Sequence, residues 1–371
     1  MRIGITGQKG FIGRHLYNTL ALYPEDFVCV EFKREFFDDE IALDGFISSC
    51  DVIVHLAAMN RNNDPLDLYE TNLMLVKKLI GSLHRTKSKT HVLFSSSIQE
   101  ERDNPYGQSK REGRTLFQEW ADETKSLFTG MIIPNVFGPF GHPYYNSVVA
   151  TFCYQLAHGE SPEIDVDGEL KLIYVSDLVK RILEEIRSES GNPYLVIPHT
   201  HQIKVSGLLD LLTRYKNEYQ GSGIIPEMAS YFELNLFNTF RSYMPIRDHF
   251  PVKFIQHRDM RGEFVEIIRQ HVGGQVSFST TRPGVTRGNH FHTRKIERFA
   301  VIKGNALIQL RQIDTSEVLD FYLSGDEPAY VDMPIWFTHN IKNIGEGELY
   351  TIFWINEFFD PFDPDTFYTA V

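Results

Sequence analysis

Tyr106-Gly107-Gln108-Ser109-Lys110 sets a phenol and an ammonium four residues apart, on one face of a helix. A run of serines, Ser95-Ser96-Ser97, ends the apolar stretch just before it. An ammonium near a tyrosine favours the phenolate. The phenol can then exchange a proton with a carbonyl or alcohol oxygen while a nicotinamide exchanges hydride with the adjoining carbon. A serine at the strand end can hydrogen-bond that same oxygen. Taken alone, Y-x-x-x-K is common and usually structural, so its meaning depends on its surroundings. A second constellation lies in GVTRGNHFHTRKIERFAVIKG, Gly284 to Gly304, with His290, His292 and Glu297, and His339 follows in PIWFTHNIKN. On an extended strand His290 and His292 face the same way. Three imidazoles and a carboxylate suit one divalent transition ion, zinc before others.

The elements that must position the first set begin at the N-terminus. RIGIT, FVCVEF, DVIVHLA, HVLFSS and GMIIPN read as strands, alternating with amphipathic helical stretches such as FIGRHLYNTLALY and SKREGRTLFQEWADET. That alternation predicts a Rossmann-like α/β domain with a parallel sheet covered on both faces. Gly7-Gln8-Lys9-Gly10-Phe11-Ile12-Gly13 joins the first strand to the first helix. Glycines there permit a tight turn and close approach of the backbone to a pyrophosphate, which the helix N-terminus favours. After the second strand comes Glu31-Phe32-Lys33-Arg34. Glu31 suits a ribose 2′-hydroxyl, whereas Lys33 and Arg34 suit a 2′-phosphate; the two cations favour NADPH.

Near residue 245 the texture changes. From Pro251 onward short alternating segments are punctuated by glycine: EFVEIIR, GQVSFSTT, RFAVIKG, NALIQLRQI, EVLDFYLSG, AYVDMP and LYTIFWINE. They predict an all-β sandwich or barrel. The boundary falls around Ser242 to Arg247, giving domains 1–244 and 245–371.

The first domain resembles the extended short-chain dehydrogenase/reductases over about residues 1 to 240. His55-Leu56-Ala57-Ala58, Pro134-Asn135-Val136-Phe137-Gly138-Pro139 and Tyr174-Val175-Ser176-Asp177 add to the glycine turn and the Y-x-x-x-K. The resemblance implies Tyr106 as acid/base, Lys110 as its electrostatic partner and ribose ligand, and Ser97 as donor to the carbonyl. It implies a cofactor held by Gly7, Gly10, Phe11, Ile12, Gly13, Leu56 and Ala57 together with Lys33, Arg34, Tyr106 and Lys110. Ser97 and Tyr106 are closer in sequence than in many members, which leaves Ser96 as an alternative and suggests a shortened loop.

The second domain resembles the cupins, so its sandwich is expected to be a jelly-roll. Gly284-x5-His290-x-His292-x4-Glu297-x6-Gly304 matches the first cupin motif, and Pro334-x-Trp336-x2-His339-x3-Asn343 the second. Trp336 replaces a usual glycine, a bulky change expected to narrow the pocket. Asp259-Met260-Arg261-Gly262-Glu263-Phe264 with GQVSFSTTRPGVTRGNHFH is similar to cupin-class sugar 3- and 3,5-epimerases, which act on nucleotide-linked 4-keto-6-deoxy sugars. A Lewis-acidic ion can stabilise the enolate formed when a carbon beside a ketone loses its proton. The other reading keeps the fold and treats the ion as structural. Metal-free members use a histidine base, which would make His290 a base, but four apparent ligands favour the metal role; Lys342, Asp332 and Tyr330 are base candidates by proximity to the motif. His199 and His201 in PHTHQ read as surface polarity, not a second metal site.

Together the two halves resemble bifunctional capsular-polysaccharide enzymes, through SSSIQ, NPYGQSK, YNSVVATFCY, GNHFH, THNI and NEFFDP. This implies C-3 epimerisation of a UDP-linked 4-keto-6-deoxy amino sugar, then reduction of the C-4 ketone with NADPH. The product would be a UDP-N-acetyl-6-deoxy-L-talosamine precursor of UDP-N-acetyl-L-fucosamine. The alternatives are a nucleotide-sugar 4-epimerase or dehydratase with a structural cupin, and a non-enzymatic nucleotide sensor. A formal charge of -12 across 371 residues argues against a nucleic-acid partner. Three scattered cysteines, Cys29, Cys50 and Cys153, suit a reducing cytoplasm. Neither a signal peptide nor a membrane-spanning run is expected. A homodimer is the expectation drawn from the family and from general symmetry.

Overall fold

Four of the five residues of the first strand, β1 (Arg2–Thr6), are buried, as a strand covered on both faces requires. The computed structural model describes residues 1–371. Along the chain β1 is followed by α1 (Phe11–Ala21), β2 (Val28–Val30), α2 (Glu40–Ser48), β3 (Val52–His55), α3 (Pro65–Thr86), β4 (His91–Ser97), α4 (Pro105–Thr124) and β5 (Phe128–Ile133). Then come β6 (Asn135–Phe137), α5 (Val148–Ala157), β7 (Glu169–Tyr174), α6 (Val175–Ile186), β8 (Leu195–Val196) and β9 (His201–Lys204). Strands β2-β1-β3-β4-β5-β8 form one parallel sheet, as expected. Its faces carry separate cores. Val52 and Val54 of β3 join Ile3, Leu16 and Ile182, whereas Ile53 joins Phe46, Leu79 and Trp120. Each such aliphatic side chain contributes roughly 1.5–3 kcal/mol on burial.

Helix starts are marked chemically. Asp64 accepts from Leu66 N and Asp67 N ahead of Pro65, and Asn104 accepts from Gly107 N at 2.8 Å ahead of Pro105. Side-chain capping with proline at the first helical position is a strong start signal, and it sets Tyr106 in the first turn of α4. Strand β2 is shorter than FVCVEF suggests. Phe32 leaves the sheet and packs edge-on against Phe46, ring centroids 4.9 Å apart, so apolar surface is buried without extending the strand.

By contact the chain divides into Met1–Val148 with Gly168–Lys204, and Val149–Asp167 with Val205–Val371. The second unit holds α7 (Val205–Tyr215), a π-turn (Lys216–Gln220), α8 (Tyr231–Arg241), α9 (Ile246–His249) and β10 (Val252–Lys253). A hairpin of β11 (Gln256–Asp259) and β12 (Gly262–Val265) follows. Next are β13 (Gln275–Thr281), β14 (Thr286–Phe291), β15 (Glu297–Lys303), β16 (Asn305–Gln312) and β17 (Val318–Ser324). The chain ends with β18 (Ala329–Met333), β19 (Phe337–Asn343), β20 (Leu349–Ile355) and β21 (Phe367–Tyr368). They pair as two five-stranded antiparallel sheets, β10-β18-β15-β20-β13 and β17-β16-β19-β14-β21, the jelly-roll architecture expected of a cupin. Helices and barrel of this unit are joined by a buried polar network. Arg298 grips Asp332 through two bonds of 2.8 and 3.0 Å, Tyr219 donates to Asp332 at 2.7 Å, and Arg241 donates to Tyr219 at 3.1 Å. No helix is long and apolar enough to cross a membrane.

Candidate active site and metal centre

The glycine turn after β1 is built without room for side chains. Gly7 is left-handed at φ +76°, and a Cβ on it would lie 2.8 Å from the Ala57 nitrogen. A Cβ on Gly13 would lie 2.2 Å from the Gly7 oxygen. These close approaches bring the turn, the first helical residues Phe11 and Ile12, and the Leu56-Ala57 segment together. Leu56 N donates to Thr6 O at 3.1 Å, and Ala57 N to Thr6 Oγ1 at 3.4 Å. Such a cradle, with backbone N–H groups at a helix start, fits a dinucleotide pyrophosphate. His55 beneath it is buried and held neutral: burial, aided by the charge of Lys110, lowers its pKa to about 3. Past β2, Lys33 pairs with Glu31 at 3.4 Å, both exposed, and the exposed Arg34 opens a 3₁₀ turn that buries Phe37.

At the end of β4 the three serines have three different tasks. The Ser95 carbonyl accepts from Lys110 Nζ at 2.8 Å. The Ser96 hydroxyl donates to the buried Glu100 carboxylate, which Arg114 also grips, from Nε at 2.9 Å and from Nη2 at 3.0 Å. Ser97 Oγ accepts only from Gln99 N, at 3.2 Å, so its proton remains available. Ser97 is half-buried; Ser96 is not accessible. A single 3₁₀ turn, Ile98–Glu101, follows β4. It packs so closely on α4 that a Cβ on Gly107 would lie 1.9 Å from the Gln99 oxygen. The lysine Nζ sits 5.7 Å from the Tyr106 ring centroid. Burial lowers the Lys110 pKa to about 8, against the opposing charge of Glu100. Burial, followed by the charge of Tyr145, pushes Tyr106 up to about 12. The net direction is opposite to that expected from the ammonium alone, because desolvation outweighs it.

In the second unit one atom each of His290, His292, Glu297 and His339 lies within 4.8 Å of all the others. A bulge between Gly288 and His290 re-registers β14, so that His290 stands opposite His339 of β19. Gly288 is needed there: at φ +100° its Cβ would lie 2.7 Å from the His339 oxygen. Glu297 opens β15, and its Oε2 is 3.1 Å from His292 Nε2 and 3.2 Å from His339 Nε2. Both imidazoles turn Nδ1 outward, His292 to the Asp365 carbonyl and His339 to that of Phe337, leaving Nε2 for the cluster. The buried His292 Nε2, His339 Nε2 and Glu297 Oε2 have no polar partner outside the cluster itself. Burial opposes ionisation of Glu297, yet the imidazoles beside it hold its carboxyl well below the usual range. This donor set, polar atoms converging in a largely buried site with outward Nδ1 groups fixed, fits a divalent ion.

Other expectations change. Asp332 is wholly buried in the Arg298 ion pair, Tyr330 lies under Arg298 with the guanidinium 3.7 Å from its ring centroid, and Lys342 is exposed on the outer face of β19. None of the three is placed as a base. Trp336 does adopt the left-handed φ of +62° that its position demands. Its ring packs on Phe291, centroids 5.6 Å apart, a residue whose neighbours His290 and His292 point to the cluster; the tryptophan therefore does not fill the ligand side. His199 and His201 gain no third ligand. Two residues escaped sequence reasoning, Glu100 and Asp365. Their roles rest on partners 14 and 70–73 positions away, and the one available signal was an acidic residue between prolines and aromatics near the C-terminus.

Residues 3–196 match the NAD dependent epimerase/dehydratase family, and the cradle and the serine–tyrosine–lysine set lie inside that match. The chain belongs to this family. Residues 257–367, which contain all four cluster residues and Asp365, match the polysaccharide biosynthesis C-terminal domain. Over the whole chain it is 34% identical to a UDP-2-acetamido-2,6-beta-L-arabino-hexul-4-ose reductase of Pseudomonas aeruginosa, covering 99% of that protein. The capsular polysaccharide assembling protein CapF of Staphylococcus aureus is similar over 100% of both chains, at 36% identity and a TM-score of 0.64. A Bacillus subtilis spore coat polysaccharide biosynthesis protein, SpsL, is 27% identical over 123 residues, 30% of this chain and 82% of that one.

Proposed function

We propose that the chain carries out two successive reactions on a UDP-2-acetamido-2,6-dideoxy-4-hexulose in a bacterial cytoplasm. Residues 245–371 epimerise C-3, and residues 1–244 then reduce the C-4 ketone. The product is a UDP-N-acetyl-6-deoxy-L-talosamine, a precursor of UDP-N-acetyl-L-fucosamine for surface polysaccharide. What supports this is the presence, in one chain, of the Ser97–Tyr106–Lys110 set and of the His290–His292–Glu297–His339 cluster. The whole-chain likeness to a 4-keto-sugar reductase and to CapF points the same way.

When bound, NADPH supplies hydride to C-4, and a divalent ion, zinc by its donor set, supplies Lewis-acid stabilisation of an enolate. The remaining work falls to side chains. Gly7, Gly10, Phe11, Ile12, Gly13, Leu56 and Ala57 receive the dinucleotide, and Lys33 and Arg34 its 2′-phosphate. Ser97 donates a hydrogen bond to the C-4 oxygen, and Tyr106 donates the proton that oxygen needs. Lys110, anchored on the Ser95 carbonyl, holds positive charge beside the phenol. His290, His292, Glu297 and His339 hold the ion. The protein acts as a homodimer.

The test is incubation with the UDP-4-keto sugar in deuterated water, with and without NADPH, and identification of products by NMR. Deuterium at C-3 without NADPH, and a 4-hydroxy product only with it, are expected. Turnover with no net NADPH oxidation would instead identify a 4-epimerase or dehydratase with a structural barrel.

A further inference from the structure

We infer that Asp365 is a positioning residue for the metal centre, setting both the spacing of His292 from Glu297 and the orientation of the His292 ring. The turn between these two ligands is Thr293–Ile296. Its first three backbone N–H groups converge on one buried carboxylate: Thr293 N donates to Asp365 at 3.1 Å, Arg294 N at 3.0 Å and Lys295 N at 3.1 Å. The Thr293 hydroxyl adds a fourth bond at 2.6 Å. Successive N–H groups around one anion form a concave nest that defines the turn's conformation. The same residue's carbonyl accepts from His292 Nδ1, which commits Nε2 to the cluster. Asp365 is 4% exposed and left-handed at φ +42°, so neighbouring contacts must hold it. They do: the buried Lys295 ammonium donates to the Pro364 carbonyl at 2.8 Å, and Thr369 N donates to Asn289 O at 2.9 Å beyond it. A partner that fixes a ligand's tautomer and direction governs affinity almost as the ligand does.

This inference rests on the metal assignment above, and the experiment separates the two. Full-length wild type and Asp365→Ala are stripped of metal, then titrated with zinc against a chromophoric chelator, and with cobalt while the visible spectrum is recorded. Asp365→Ala is expected to bind zinc about 10–100-fold more weakly, with altered cobalt bands. Folding is checked by near-ultraviolet circular dichroism. A folded Asp365→Ala protein with wild-type zinc affinity and an unchanged cobalt spectrum overturns the inference, even if its thermal midpoint falls. If Asp365→Ala does not fold, Asp365→Asn decides by the same two readouts. Failure of wild type to bind either metal overturns the metal assignment and this inference with it.

Discussion

The Ser96 hydroxyl donates to the Glu100 carboxylate within a site sealed by Arg114. A hydroxyl held there is already committed, whereas Ser97 Oγ only accepts, from Gln99 N; this supports the proposal that Ser97 is the donor. Ser97→Ala is expected to lower kcat for NADPH-dependent reduction by about 10²–10³-fold, as lost transition-state donors do. Ser96→Ala is expected to keep kcat within about threefold while costing about 1 kcal/mol of stability. Steady-state kinetics beside chemical denaturation distinguishes them, and the opposite ranking would reassign the serine.

Tyr106→Phe removes the hydroxyl proposed as proton donor and keeps the ring. A fall in reductase kcat of about 10²–10⁴-fold is expected, with C-3 deuterium exchange unaffected. Because burial holds Lys110 at about 8, its positive charge is lost as pH rises through that value. The wild-type kcat/KM for reduction should therefore decline above about pH 8. Lys110→Met should be slow at every pH and lack that limb.

Metal removal should divide the two activities. A chelated protein, or His290→Ala, is expected to lose C-3 deuterium exchange while still reducing a substrate already epimerised at C-3. Undiminished exchange in stripped His290→Ala would remove the metal from the reaction.

Acid should destabilise the nucleotide-binding fold through three buried histidines. Burial lowers His15 to about 4, with a smaller contribution from Arg14, His55 to about 3, with one from Lys110, and His91 to about 4. Between about pH 6.5 and 4 the unfolded chain binds protons that the folded chain refuses, so stability rises with pH across this window and falls on acidification. Each histidine contributes a slope of up to about 1.4 kcal/mol per pH unit. His91→Gln should flatten the dependence of unfolding free energy on pH between 4 and 6.5.

Gly13→Ala should abolish nucleotide binding. Its methyl would meet the Gly7 carbonyl at 2.2 Å, a backbone contact that no rotamer relieves. Tryptophan-to-nicotinamide energy transfer on adding NADPH should disappear, and a wild-type signal would show that the turn yields.

Local pattern was enough for much of this molecule. Alternation of period two and period 3.6 announced the parallel sheet and the β-rich half, because burial imposes those periods wherever one face meets a core. Glycine spacing announced the turn because Gly13 packs on Gly7 and Gln8, a few positions away, whereas the approach of Gly7 to Leu56 and Ala57 is long-range. The four metal-cluster residues were legible for the same reason: three lie within eight positions, and the fourth recurs in a short motif. Sequence left the choice between Ser96 and Ser97 open, since both stand at one strand end. Tertiary structure tells the two apart by bringing Glu100, gripped by Arg114, onto Ser96 and leaving the Ser97 hydroxyl as an acceptor from Gln99 N.

Desolvation likewise was invisible in the chain. Spacing put Lys110 beside Tyr106, but only burial reverses the expected shift of the phenol. The base candidates Asp332 and Tyr330 were near the motif in sequence, yet the fold gave both to Arg298. Asp365 was beyond reach because its partners lie 70–73 residues upstream, and a carboxylate alone does not declare which backbone amides will surround it. Residue types and short spacings thus determined which chemistries can be proposed for this protein. Which groups are free to perform them was decided by long-range contacts and by the exclusion of water, neither of which has a period in sequence.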